Sequence, residues 1–472
     1  MKKIYLPIRY KKINNKYLIT GEFFNWIFLT KKQFEEYQTK KIKENSVLYK
    51  ELVKNRFILD NKEQIELLTE RKRNQMDNLF TGPSLHIIVL TKRCNQACIY
   101  CHAAAVTEEK QKCDMNQKTA KRTVDIIMST PNHYVMIEFQ GGETLLNFEI
   151  LKYIVEYANE KNKKIRKQLA FSIVTNLELM DEEKYQWLKK NRVGICTSLD
   201  GPKILHDKNR PSIKFKSSYD NTIKWIKRAN KDKLRIGALI TVSKESLKYP
   251  KEIVDEYVKQ GYGMLHLRQL HFLGKAAGIW NTIGYTAEEF IDFWKKAMDY
   301  IIKLNKKGTF LAERECHIIL QKALNNYEPG YLDLMSPCGA IIGQIAYNYD
   351  GKIYTCDEAR TMGEELFEIG DENSKSIQEI ATTEKAIDII SSTINDSYYC
   401  DYCTYKTYCG VCPVCNYKET GSPISDVLRT SRCKILMATF DYIFEKLQEP
   451  ETKKIFESWI KPENREKHNT FD

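Results

Sequence analysis

From Leu85 to Arg268 the chain alternates short apolar runs with amphipathic stretches in a regular order. Strand-like runs at 85–91, 133–139, 169–175, 193–198, 234–242 and 263–268 are separated by helical patterns near 117–129, 148–161, 181–190, 216–229 and 248–260. Strand and helix in strict alternation build parallel βαβ units. Six such units predict an α/β fold, a partial (β/α)6 TIM-like barrel. In such a barrel the chemistry gathers at the C-terminal ends of the strands. Cys94 to Cys101 follows the first strand, Gly141-Gly142-Glu143 the second and Thr175-Asn176 the third. Ser198-Leu199-Asp200-Gly201 follows the fourth and Arg268 ends the sixth. All are expected on one rim.

The flanks follow other patterns. Residues 1–80 predict a small α+β, winged-helix-like module. Tyr17-Leu18-Ile19-Thr20 and Trp26-Ile27-Phe28-Leu29 form a hairpin around Gly21, Thr30 caps a helix over Lys31 to Gln38, and Leu48, Leu52 and Val53 make an apolar stripe. The charged stretch Lys62 to Asn78 and the turn Thr81-Gly82-Pro83 link it to the barrel, which is assigned 81–310. Helical patterns near 286–306 and 312–325 follow the last strand, and residues 311–448 are assigned to bridging helices and then a loop-rich, cysteine-rich region that needs metal to hold it. Lys434 to Leu447 predicts an amphipathic helix, and the charged tail 449–472 is expected to fray.

Composition matters chiefly through cysteine. The N-terminus has no signal-peptide apolar stretch, and no apolar run is long enough to span a bilayer, so the protein is expected to be cytoplasmic, without a membrane. In that reducing setting fourteen cysteines point to metal rather than disulfides. Three lie at 94 to 101 and eight between 338 and 433. Cys113, Cys196 and Cys316 are expected to be small buried apolar residues. The net charge of +12 is spread over helix faces such as Lys161 to Lys167, which predicts no nucleic-acid partner.

Cys94, Cys98 and Cys101 have no fourth cysteine nearby. A structural metal site closes its coordination with protein ligands, whereas a site for chemistry keeps a position open. Three thiolates at this spacing can each take one corner of a cubane. His102 is not expected to join them, because the next side chain points away from that corner. Lys92 and Arg93 are expected to favour deprotonated thiols.

The stretch Thr91-Lys92-Arg93-Cys94-Asn95-Gln96-Ala97-Cys98-Ile99-Tyr100-Cys101-His102 resembles the motif of the radical S-adenosylmethionine (SAM) superfamily. The resemblance implies a 4Fe-4S cluster on Cys94, Cys98 and Cys101 whose open iron chelates SAM, and a 5'-deoxyadenosyl radical that abstracts a substrate hydrogen. Gly141-Gly142-Glu143 resembles the family's Gly-Gly-Glu motif, with Glu143 expected to pair with the SAM ammonium. Asn176 and Ser198 to Asp200 stand where relatives bind the SAM ribose and carboxylate. Arg268 is expected to be a carboxylate partner.

Cys338, Gly351 and Cys356, then Cys400-x2-Cys403-x5-Cys409, Cys412 and Cys433, are similar to the SPASM extension of peptide-modifying radical SAM enzymes. The resemblance implies two auxiliary clusters, one on Cys400, Cys403, Cys409 and Cys433, the other on Cys338, Cys356 and Cys412. Only Gly410 and Val411 separate Cys409 from Cys412, where the family has three residues, and an extra Cys415 leaves the choice between Cys412 and Cys415 open. Ser336-Pro337-Cys338-Gly339 and Thr355-Cys356-Asp357-Glu358, with the motifs above, look like the radical SAM maturase of His-Xaa-Ser peptide systems.

The expected function is hydrogen abstraction from a ribosomally made precursor peptide, with SAM, three 4Fe-4S clusters and an electron donor such as flavodoxin or ferredoxin. A sulfatase-maturing, formylglycine-generating enzyme is the near alternative. A non-catalytic zinc or iron-sulfur protein that binds nucleic acid is the distant one, its zinc ribbon built from Cys400/Cys403 and Cys412/Cys415. Three cubanes imply about twelve irons per chain.

Overall fold

The computed structural model describes residues 3–76, 78–107, 111–424 and 426–464. At its centre lies a nine-stranded sheet. In spatial order its strands are Leu267–Arg268, Ile236–Thr241, Val193–Ser198, Gln168–Val174, Tyr134–Gly141, Leu85–Thr91, Gln344–Tyr347, Ile353–Tyr354 and Glu368–Gly370. From Leu85–Thr91 outward to Leu267–Arg268 every pairing is parallel and follows the chain order. Ile87, Ile88, Val89 and Leu90 are all buried, as a parallel strand covered on both faces requires. Tyr134–Gly141 alternates instead. Val135, Ile137 and Phe139 join the core, while Glu138 and Gln140 line a cavity inside the barrel.

Four features differ from the sequence expectation. The sixth strand is split: Met264–Leu265 pairs with Ala312–Glu313, and after His266 the chain switches to Ile236–Thr241. A helix over Lys203–Asn209 follows the fourth strand, too short for its periodicity to stand out. Gln344–Tyr347 pairs in parallel with Leu85–Thr91, so the cysteine-rich region shares the barrel's sheet. Phe367, Ile369, Ile380, Tyr408 and Val414 of that region are buried in the same core, so apolar packing contributes to holding a region expected to depend on metal. Finally, the tail expected to fray carries a helix over Pro450–Trp459 with Phe456 and Trp459 fully buried. Residues 465–472 lie outside the described residues.

The N-terminal module has three antiparallel strands, Arg9–Ile13, Lys16–Thr20 and Trp26–Leu29, followed by helices over Lys31–Gln38 and Val47–Lys54. Thr30 caps the first helix in a reciprocal box with Gln33. The strands precede the helices, whereas in the winged-helix arrangement expected they follow as a wing. Arg9–Ile13 is too polar on its outer face to register as a strand in the sequence. The sheet is covered on both sides. Leu18, Phe24 and Trp26 pack on the main body, and Ile19 and Leu29 pack under the module's own helices. Polar contacts fix the dock: Thr20 Oγ1 donates to the Thr404 carbonyl at 2.6 Å, Tyr408 to that of Phe24 at 2.8 Å, and Trp26 Nε1 to that of Ala323 at 2.7 Å. Among the described residues no helix is long and apolar enough to cross a membrane.

Candidate active site

Beyond Thr91 the chain passes into Arg93–Cys94, a two-residue strand paired with Val106–Thr107. The loop that follows is pinned from outside. Ala97 N–H donates to the Pro211 carbonyl and Ile99 N–H to that of Asn209, both at 2.9 Å. The side-chain amides of Asn95 and Gln96 each donate to the Glu178 carboxylate at 2.8 Å. Tyr100 donates to Asp200 at 2.5 Å and accepts from Arg210 at 2.9 Å. This frame turns Cys94, Cys98 and Cys101 toward a single cavity of about 360 Å³ at the C-terminal ends of the strands.

The thiols fit an iron-sulfur cluster. Gln96 N–H donates to Cys94 Sγ and Ala105 N–H to Cys101 Sγ, both at 3.4 Å, an arrangement that favours negative sulfur. Burial drives the Cys94 thiol well up and that of Cys98 to about 11, so a cation must compensate before either becomes a thiolate. The expected help from Lys92 and Arg93 is not what opposes burial. Arg93 is paired with Asp114 at 2.6 Å and Lys92 sits 5.8 Å from the Tyr349 ring, whereas the cation that lowers Cys98 is the buried Arg210.

Gly141 and Gly142 line the cavity because the cysteine loop presses against their backbone. A Cβ on Gly142 would overlap the Arg93 carbonyl oxygen, and one on Gly141 would lie 2.5 Å from that of Thr91. Gly142 N–H bonds to the Thr91 carbonyl at 2.8 Å and Glu143 N–H to that of Arg93 at 2.7 Å, which stitches the second strand's end to the first. Glu143, expected to pair with the SAM ammonium, is not among the residues lining the cavity. It is fully buried, and its carboxylate accepts from Thr175 Oγ1 at 2.6 Å, Asn176 N at 2.8 Å and Leu145 N at 3.0 Å. It is a brace between strands.

Asn176, Ser198 and Arg268 line the cavity with the cysteines. Asn176 Nδ2 lies 3.8 Å from Cys94 Sγ and donates to Asn95 at 2.8 Å. Asp200 is not brought to the cavity. It lies fully buried behind the loop, held by Tyr100, Asn209 and the Thr241 N–H, and positions the loop rather than facing a ligand. Cys316 is fully buried as expected, but Cys113 is half-exposed and Cys196 lines the cavity. Sequence reasoning missed Glu178 and Arg210. Glu178 ends the third strand's loop two residues after Asn176, a position the rim argument could have singled out. His102 also lines the cavity, with Nε2 3.8 Å from Asp357.

The remaining cysteines fall into two groups. Cys400, Cys403, Cys409 and Cys433 are electrostatic neighbours of one another. Cys338, Cys356 and Cys412 form the other group, and the Cys415 backbone N–H donates to Cys412 Sγ at 3.4 Å. The zinc-ribbon alternative pairs cysteines that the fold assigns to different groups. Among the described residues no three Cys, His, Asp or Glu side chains are arranged to hold a single metal ion.

Residues 88–257 match the profile of the Radical SAM superfamily, and they contain the cysteine loop and the Gly-Gly turn. The chain carries a radical SAM domain. An uncharacterized protein of Methanocaldococcus jannaschii is 33% identical over 175 residues, which is 37% of this chain and 58% of that protein. The radical SAM cyclopropyl synthase TigE of Paramaledivibacter caminithermalis is 24% identical over 331 residues, 66% of each chain. A cysteine-type anaerobic sulfatase-maturating enzyme of Clostridium perfringens is 23% identical over 282 residues, 58% of this chain and 74% of that enzyme. The chain thus spans less than two thirds of the length of the first two. The radical SAM domain and its surroundings share a fold with native anSMEcpe with bound AdoMet (TM-score 0.67, 19% identity, 78% of this chain and 99% of that one). They also share it with Streptococcus suis SuiB bound to precursor peptide SuiA (TM-score 0.55, 15% identity, 89% and 98%).

Proposed function

We propose that this protein is a radical SAM enzyme that modifies a ribosomally synthesised precursor peptide, in the manner of a His-Xaa-Ser system maturase. The observation that carries this reading is the convergence of Cys94, Cys98 and Cys101 with Gly141, Gly142, Asn176 and Ser198 on one cavity, beside two further cysteine groups. Cys94, Cys98 and Cys101 would hold a 4Fe-4S cluster, with Gly141, Gly142, Asn176, Ser198 and Arg268 about its SAM. The cluster and SAM, when bound, supply a 5'-deoxyadenosyl radical that removes a hydrogen atom from the substrate.

The chain's own residues hold and shield that site. Gly141 and Gly142 let the cysteine loop close against the end of the second strand, Glu178 and Asp200 keep the loop rigid, and the buried surroundings exclude water. His102 beside Asp357 offers a place to hold a proton at the cavity wall. Cys400, Cys403, Cys409 and Cys433, and separately Cys338, Cys356 and Cys412, would hold two auxiliary 4Fe-4S clusters. The edge strand Arg9–Ile13, with Tyr10 half exposed, is where a leader segment would add as a further strand. A flavodoxin or ferredoxin would supply electrons in the cytoplasm.

Anaerobic reconstitution with SAM, reductant and candidate precursor peptides, followed by mass spectrometry, tests the reading. Production of 5'-deoxyadenosine with a loss of two hydrogens from the peptide is expected, and absence of 5'-deoxyadenosine overturns it. The resemblance to a sulfatase-maturating enzyme favours a second reading, oxidation of Cys or Ser to formylglycine. Conversion of a sulfatase-derived peptide, with the precursor peptides left unchanged, would select it.

A further inference from the structure

We propose that Cys415 is the fourth thiol ligand of the cluster on Cys338, Cys356 and Cys412, which leaves that cluster without an iron open to substrate. The inference rests on the reading of the cysteine-rich region as cluster-bearing. Cys412 is the N-cap of the helix Pro413–Thr420, and its Sγ accepts the Cys415 N–H at 3.4 Å. Cys415 therefore stands in the first turn, where a helical side chain leans back toward the N-terminus and so toward Cys412. Cys412 in turn neighbours Cys338 and Cys356, and Cys415 shares the neighbour Glu358 with Cys356. The half-buried Arg432 guanidinium neighbours Cys338, Cys412 and Cys415 alike, a counter-charge placed for an anionic thiolate cluster.

The identity of the fourth ligand matters because of what lies on the other side of Cys415. It lines a second cavity of about 530 Å³, walled by Trp280 and by Gln269 to Leu273, a segment that also borders the first cavity. An open iron here would face bound substrate. With Cys415 on that iron, the cluster exchanges only electrons with its surroundings.

The test uses the full chain with Cys94, Cys98 and Cys101 changed to Ala, which leaves about eight irons per chain if both auxiliary clusters are present. Much less iron overturns the cluster reading itself, and this proposal with it. On mild ferricyanide oxidation an iron without a protein ligand is lost, leaving a three-iron cluster visible by electron paramagnetic resonance. The parent is expected to show no such signal, and added Cys415→Ala to show about one per chain with loss of about one iron. An equal signal in both overturns the proposal. Should Cys415→Ala fail to fold, alkylation of the wild-type protein decides. Cys415 is expected to be protected when iron-loaded and labelled after chelation, and labelling of the loaded protein overturns the assignment.

Discussion

At the residue scale, the glycines of the Gly-Gly turn carry more of the site than the acid beside them. The Arg93 carbonyl occupies the space a Gly142 side chain would need, so Gly142→Ala is expected to displace the cysteine loop and remove about four irons per chain with circular dichroism unchanged. Iron analysis beside a fold measurement checks this. Glu313 shows a different constraint. Burial first, and then the charge of Glu315, raise its carboxyl from 4.5 to about 8. Its contribution to stability is full below about 4.5 and is lost as the pH rises through about 8. Denaturant unfolding at pH 6 and pH 8.5 should show Glu313→Gln losing less stability than the wild type over that interval. Cys94, Cys98 and Cys101 could be singled out together in the sequence because they lie close together just past a strand end, and they line one cavity. The surroundings of Glu143 and Asp200 were not legible, because a sequence cannot tell a carboxylate facing a cavity from one hydrogen-bonded by Thr175, Tyr100 and backbone N–H groups.

At the scale of elements, most of the barrel was legible. Periodicity placed its strands to within a residue or two, because parallel strands buried on both faces form plain apolar runs between amphipathic helices. Pro450–Trp459 was not legible, since its apolar positions are few and surrounded by charge. Phe456 and Trp459 nevertheless pack with ring centroids 5.0 Å apart and planes tilted by 45°, and Trp459 Nε1 donates to Asn305 at 3.2 Å. Trp459→Ala is expected to cost about 3–5 kcal/mol in chemical denaturation, far more than a fraying tail would lose. The short strand Gln344–Tyr347 escaped notice for a related reason. Four buried residues have no periodicity, and only their partner Leu85–Thr91, far away in sequence, makes them a strand.

At the scale of the molecule, the N-terminal module and the body form one continuous packing unit. Phe24 lies 5.9 Å from the Tyr408 ring and Trp26 5.3 Å from that of Phe444, so removing residues 1–60 uncovers these aromatics. The truncated chain is expected to be insoluble, whereas Tyr10→Glu on the outer strand is expected to stay soluble; fractionation after expression checks both. The loss of leader binding in a soluble edge variant would then be a matter of recognition rather than folding. The shared sheet has one more consequence. Because Gln344–Tyr347 lies directly beside Leu85–Thr91, the wall that ends in Cys94 and the wall that leads to Cys356 are adjacent ribbons of one twisted surface. The chain reverses between Tyr347 and Ile353, so Cys94 lies beyond one end of these strands and Cys356 near the other, and the span between the two sulfur-bearing rims is set by strand length rather than by interstrand spacing. Evolution can lengthen the loops at either rim, but an insertion within Gln344–Tyr347 would slide one rim past the other.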